Sequence, residues 1–237
     1  MLDTILFDLD GTLLPFSEKE FVGVYFPGMA KKLAPYGVEA EPLIKALWDG
    51  TRAMVKNDGG ATNREVFWKR FQELMGAGVR KLEPVTNDFY CCEFNDARAV
   101  LREERDCAPM IAGLRDKGYT VALATNPIFP LCGVETRLRW INLKLEDFAL
   151  VTSYENCCAT KPNPAYFSAV LEKLGKKPEQ CLMIGNNCVE DAAAMELGIP
   201  VILVTDTPEG AGEVPAEAKT MSFAEIKSWL DGLPAIK

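Results

Sequence analysis

Two aspartates one residue apart carry the first sign of chemistry. Asp8 and Asp10 stand at the end of a short apolar run, Ile5-Leu6-Phe7, and lead into a Gly11-Thr12 turn. In extended backbone, residues two positions apart point to the same side. Both carboxylates therefore leave the end of a buried strand together, where open α/β sheets bind their ligands. Like charges held that close repel unless a cation lies between them or one keeps its proton. Taken alone, the pair also fits an ordinary strand end with an Asp-Gly turn. Residues further along the chain decide between the two readings.

Polar groups recur at the ends of the later apolar runs. Thr125-Asn126 closes the run Thr120–Ala124, and Lys161-Pro162 follows a third run by a short loop. Gly185-Asn186-Asn187 closes Cys181–Ile184, with Glu190-Asp191 shortly after. Each has a plain reading by itself: a helix cap, a solvated lysine, a turn, an acid complementing a helix N-terminus. In a parallel sheet, however, those ends share one rim. Residues far apart in sequence then converge on one place.

Composition narrows the chemistry further. The chain has 237 residues and no histidine, which excludes Ser-His-Asp and Cys-His catalysis and His-bound zinc. Carboxylates, Lys, Thr, Asn, thiols and hard cations remain. The net charge is -8 and no Lys/Arg run forms a phosphate-backbone footprint, so no nucleic-acid partner is expected. No apolar stretch approaches the roughly 20 residues that span a bilayer, and no membrane partner is expected. The eight cysteines contain no C-x-x-C pair and read as reduced thiols of a cytoplasmic protein.

The elements that must position these groups follow from periodicity. After Leu14-Pro15 the pattern is helical to about Asn95. Ser17-x-x-Glu20 and Thr62-x-x-Glu65 are capping boxes, and Gly59-Gly60 separates two helices. From Asp96 the pattern alternates helix and strand, with strands at Thr120–Thr125, Phe148–Thr152, Cys181–Ile184 and Val201–Thr205. Helices are predicted over Val134–Ile141, Phe167–Leu174, Asp191–Leu197 and Ser222–Leu230. The fold class is therefore α/β, a doubly wound parallel sheet with an inserted all-helical segment. Residues 1–15 and 96–237 form the core and 16–95 the insertion.

This ordered set resembles the haloacid dehalogenase-like superfamily, in its phosphatase branch with a helical cap. The resemblance rests on Asp8-Leu9-Asp10-Gly11-Thr12, Thr125, Lys161 and the loop from Gly185 to Asp191, and spans residues 2–206. It implies Asp8 as the nucleophile that becomes phosphorylated and Asp10 as the general acid and base. Thr125 and Asn126 would contact the phosphoryl group or the pocket edge, and Lys161 would offset its charge. Mg²⁺ would be held by Asp8, Asp10, Asn187 and Asp191. The substrate implied is a small phosphorylated metabolite. A sugar-phosphate mutase shares the covalent intermediate, and a catalytically weakened ligand-binding member is the reading from another class.

One departure stands out. The family's fourth motif carries an aspartate just after its glycine, whereas Asn186 and Asn187 are amides. Weaker Mg²⁺ affinity is the expected consequence, because Asp8, Asp10 and Asp191 remain. Asp10 itself argues against carbon–halogen cleavage, since dehalogenases of the superfamily lack that second aspartate. The helices of 16–95 match the family's first cap position and would close over a small substrate. Tyr25, Phe26, Trp48 and Trp68 are assigned to the core, because aromatics at helical spacing most often pack there.

Overall fold

The computed structural model describes residues 1–236. In chain order, β1 (Thr4–Phe7) is followed by helices α1 (Glu18–Leu33), α2 (Ala40–Val55), α3 (Asn63–Met75) and α4 (Glu83–Cys91). Then come α5 (Ala108–Asp116), β2 (Thr120–Leu123), α6 (Leu131–Arg139), β3 (Leu150–Val151) and α7 (Pro164–Leu174). β4 (Cys181–Gly185), β5 (Val201–Val204), β6 (Lys219–Met221) and α8 (Phe223–Asp231) complete the chain. All strand pairs are parallel, in the order β3-β2-β1-β4-β5-β6.

The central strands are apolar throughout because helices cover both of their faces. The pleat sends Ile5 and Phe7 to one side, where they pack with Val121, Leu123 and Ile184. Leu6 goes to the other side, against Ala122, Phe167 and Met183. The first of these two clusters does not stop at the sheet. It continues through Phe94 into Leu33 and Leu43 of α1 and α2, so the inserted helices share a core with one sheet face. Full burial of a side chain such as Phe94 contributes roughly 1.5–3 kcal/mol.

Local signals explain the helix boundaries. Ser17 caps α1 and Thr62 caps α3, each in a reciprocal capping box with Glu20 and Glu65. Asn163 caps α7 through Ala165 N–H at 3.0 Å. No helix among the described residues is long and apolar enough to cross a membrane.

Five details differ from the sequence expectation. The third strand is only Leu150–Val151, and the second ends at Leu123. The segment after Asp191 is a 3-10 helix, Ala192–Leu197, because the Asp191 carboxylate binds the backbone before it and tightens the entry. A sixth strand, Lys219–Met221, closes the sheet edge where its exposed polar residues hide it from an apolar-run search. A 3-10 helix, Glu93–Val100, straddles the boundary expected at 95/96.

Candidate active site

Strand register brings the polar ends together. Phe7 lies opposite both Leu123 and Ile184. The ladder reaches the rim through Asp8 N–H to the Ile184 carbonyl at 2.9 Å and Ala124 N–H to the Phe7 carbonyl at 2.7 Å. One or two residues later the chain presents Asp8, Thr125 and Asn186 side by side.

Lys161 organises the carboxylates. Its side chain is fully buried, and its ammonium donates to Asp8 Oδ1 at 2.9 Å and Asp191 Oδ1 at 2.6 Å. The other oxygen of Asp191 accepts the Asn186 and Asn187 N–H groups, both at 2.9 Å. Gly185 is required here, because a Cβ at that position would overlap the Asp191 carboxylate. The Thr12 hydroxyl lies 3.1 Å from Asp8 Oδ2 and 3.3 Å from Asn186 Oδ1. Gly11 has φ +76°, and a Cβ there would run into the Asn186 amide.

Burial dominates the electrostatics. It pushes the Asp8 carboxyl up to about 7, with Lys161 pulling down and Asp191 and Asp10 adding to the rise. For Lys161, burial opposes the charge, but Asp191 and Asp8 outweigh it and raise its pKa above the usual lysine range. Burial likewise raises Glu190 to about 7, although Lys161 works the other way. Glu190 accepts a hydrogen bond from the Asn126 amide at 2.9 Å.

Asp10 is fixed from a different direction. Its Oδ2 pairs with Nη1 of Arg137, a fully buried residue of α6, while its Oδ1 is buried without a partner. The Arg137 guanidinium also stacks over the Phe129 ring at 4.3 Å. Arg137 was not among the expected site residues. A signal for it existed: it sits three residues after Val134 and beside Leu138, so it shares the apolar face of its helix.

A cavity of about 160 Å³ opens on these groups. Asp8, Asp10, Thr125, Asn126, Asn187 and Asp191 all line it. Lys161 does not; it lies beneath Asp8 and Asp191 as their counter-charge. Asn187 is turned so that its oxygen accepts the Val189 and Glu190 N–H groups, both at 3.0 Å. Of the two amides, Asn186 is the one whose side chain adjoins Thr12 beside Asp8. Tyr25, Phe26, Trp48 and Trp68 are buried or half-buried as expected of core, and they also form cavity wall.

The donor set suits a hard cation. Six carboxylates face the cavity, those of Asp8, Asp10, Glu18, Glu190, Asp191 and Glu209. Lys161 and Arg137 are the cationic side chains paired with members of that group. The raised Asp8 and the partnerless Asp10 Oδ1 mark unbalanced negative charge that an oxygen-seeking divalent ion would neutralise.

Comparison with known proteins identifies the family. The family model of haloacid dehalogenase-like hydrolases matches residues 2–198. The chain is 23% identical over 215 residues to ribulose-1,5-bisphosphate 5-phosphatase of Halopiger xanaduensis, covering 88% of this chain and 87% of that protein. It is 24% identical over 221 residues to the pyrophosphatase PpaX of Bacillus cereus, covering 91% and 88%. Among solved structures, an HAD phosphatase from Thermococcus onnurineus superposes with a TM-score of 0.64 at 20% identity, covering 99% and 100%. CbbY from Rhodobacter sphaeroides, in complex with phosphate, gives 0.61 at 21% identity, covering 95% and 96%. The chain belongs to the haloacid dehalogenase-like hydrolases and is an enzyme of their phosphatase type.

Proposed function

We propose that this protein is a Mg²⁺-dependent phosphatase that hydrolyses a small phosphomonoester through an aspartyl-phosphate on Asp8. The observation that carries this reading is the setting of Asp8, a buried carboxylate held by Lys161 and Thr12 on a cavity wall that Asp10 shares. The names of its relatives specify small phosphorylated compounds as substrates, and the same class is proposed here. Residues 16–95 would act as the cap and the remainder as the core. The eight cysteines are free, as a cytoplasmic location would leave them.

The chain's own residues account for both halves of the reaction. Asp8 attacks phosphorus, a P–O bond forms, and the ester P–O bond breaks. The departing oxygen takes a proton from Asp10, whose orientation is set by Arg137. Asp10 then removes a proton from water as that water attacks the phosphoryl group, releasing phosphate and restoring Asp8. Lys161 holds Asp8 in place and offsets charge on the transferring group. Mg²⁺ held by Asp8, Asp10 and Asp191, with Asn186 or Asn187 nearby, would supply Lewis-acid neutralisation and keep Asp8 ionised at neutral pH.

The test is phosphate release across a metabolite panel, with and without Mg²⁺, beside Asp8→Asn. Release that needs the divalent ion and drops at least about 10³-fold in the variant is expected, as loss of a covalent nucleophile usually exceeds that. Hydrolysis by the variant at the parent's rate would overturn the assignment.

A further inference from the structure

Away from the carboxylates and the Thr and Asn side chains of the rim, the wall of the cavity is mostly apolar and aromatic, with Thr51 and Thr86 among its polar members. It runs from the rim into the space between α1, α2, α3 and α4, past Tyr25, Leu47, Trp48, Trp68 and Tyr90. Among the described residues that line it there is no lysine and no arginine. Arg137 comes near through Phe129 but does not line the wall; its Nη1 pairs with Asp10 and its Nη2 is buried without a partner. A second phosphate or carboxylate on the substrate would therefore meet no counter-ion in the wall, and six carboxylates at the mouth. Burying such a group unpaired is among the costliest changes a binding site can make.

The size and lining point to what does fit. The whole cavity, its carboxylate end included, is about 160 Å³, of the order of the roughly 150 Å³ that accommodates a molecule of benzene size, so the apolar part has room for no more than about one ring. Its rings already meet edge to face: Phe26 and Trp48 with centroids 5.2 Å apart at 85°, Trp68 and Phe71 5.5 Å apart at 88°. A flat aromatic guest extends that arrangement. Polar handles are present as well, and the indole Nε1 of Trp68 is buried without a partner. The Tyr25 and Tyr90 hydroxyls bond to each other. Two phenols joined by one hydrogen bond leave one hydrogen without an acceptor, ready for an oxygen on the guest.

We infer that the leaving group of the substrate is an uncharged aromatic alcohol of about one ring, carrying a single phosphate. This rests on the phosphatase reading for the reaction, though not for the binding. The metabolic counterpart is an enzyme class that phosphorylates such an alcohol or releases its monoester, with this protein returning the free alcohol.

Two measurements separate the inference from the reading beneath it. The first compares kcat/KM for benzyl phosphate, glycerol 3-phosphate, fructose 1,6-bisphosphate and pyrophosphate in Mg²⁺. Benzyl phosphate is expected to lead by at least about tenfold, since even one methylene in an apolar pocket is worth roughly 10–200-fold. The second titrates the fluorescence of the wild-type protein with benzyl alcohol, which Trp48 and Trp68 would report, and repeats it on the filling variant Leu47→Phe. A saturable change that weakens at least tenfold in the variant is expected; Met29→Phe replaces it if Leu47→Phe does not fold. Binding of the alcohol without any phosphate release sinks the phosphatase reading and leaves the pocket assignment supported. A bisphosphate or pyrophosphate turned over as well as benzyl phosphate, or no saturable binding of the alcohol, overturns the inference.

Discussion

Lys161→Met removes the one positive charge shared by Asp8 and Asp191 while keeping an unbranched apolar stem. Both contacts are short, 2.9 and 2.6 Å, and all three groups are buried. Deleting one partner of a buried pair costs about 3–5 kcal/mol, because the remaining charge is left uncompensated. The pH dependence follows from Asp8, whose carboxyl is raised to about 7 by burial. A carboxyl raised on folding stabilises the native state at low pH and loses that contribution as pH rises through its folded value. Below pH 7 Asp8 carries its proton in parent and variant alike, so the deficit comes chiefly from Asp191. Above pH 7 only the parent ionises Asp8 against Lys161. The deficit then grows by about 1.4 kcal/mol per pH unit until the variant's own carboxyl titrates. With a urea m-value of roughly 3 kcal/mol/M, a 3–5 kcal/mol loss lowers the midpoint by about 1–1.7 M. The assay is urea unfolding in chelator at pH 6 and pH 8, repeated with saturating Mg²⁺. The ion should recover more stability in the variant than in the parent, since it replaces the missing charge. A variant midpoint within about 0.3 M of the parent in chelator, or an equal deficit at both pH values, would refute the reasoning.

Gly185→Ala should abolish turnover and weaken Mg²⁺ binding by calorimetry, because the added methyl overlaps the Asp191 carboxylate and displaces it from Lys161. Asn187→Asp should tighten Mg²⁺ while preserving the turn, since a carboxylate accepts the same Val189 and Glu190 N–H groups. Asn186→Asp removes the amide donor to the Thr207 carbonyl, a bond of 2.7 Å. It should cost about 1–3 kcal/mol in denaturant titration, the penalty for an unsatisfied buried polar group. Tyr25→Phe should be less stable than the parent at neutral pH, where the Tyr90 hydroxyl loses its partner. Burial pushes the Tyr25 phenol up to about 12, so the parent loses stability as pH rises from 10 through that value. The gap between the two proteins in thermal unfolding should therefore narrow in that range.

The rim chemistry was readable because it depends on strand ends, and strand ends follow from apolar runs. Asp8 and Thr125 sit where a run stops, Lys161 and Asp191 lie in the loops that follow later runs, and the parallel register does the rest. The capping boxes at Ser17 and Thr62 were readable because their spacing is strictly local. Other features depend on three-dimensional context. Whether Asn186 or Asn187 adjoins Asp8 is a one-residue question that spacing cannot resolve; the Asp191 carboxylate settles it by gripping both amide N–H groups. Helical periodicity reports that Tyr25, Trp48 and Trp68 face inward, yet it does not distinguish a packed neighbour from an empty one. Arg137 went unread because a charged residue on an apolar face looks like an interruption of the pattern until its partner, Asp10, is known. β6 carries too little apolar sequence to announce itself.

The central claim is that Asp8 carries the phosphoryl group between substrate and water. Acid quenching during steady-state turnover, followed by peptide mass spectrometry of the N-terminal segment, tests it directly. The account predicts a phosphate adduct on Asp8 that forms with substrate and Mg²⁺, disappears when substrate is exhausted, and is absent from Asp8→Asn. An adduct on any other residue, or steady phosphate release with none on Asp8 under conditions that preserve acyl phosphates, would contradict it.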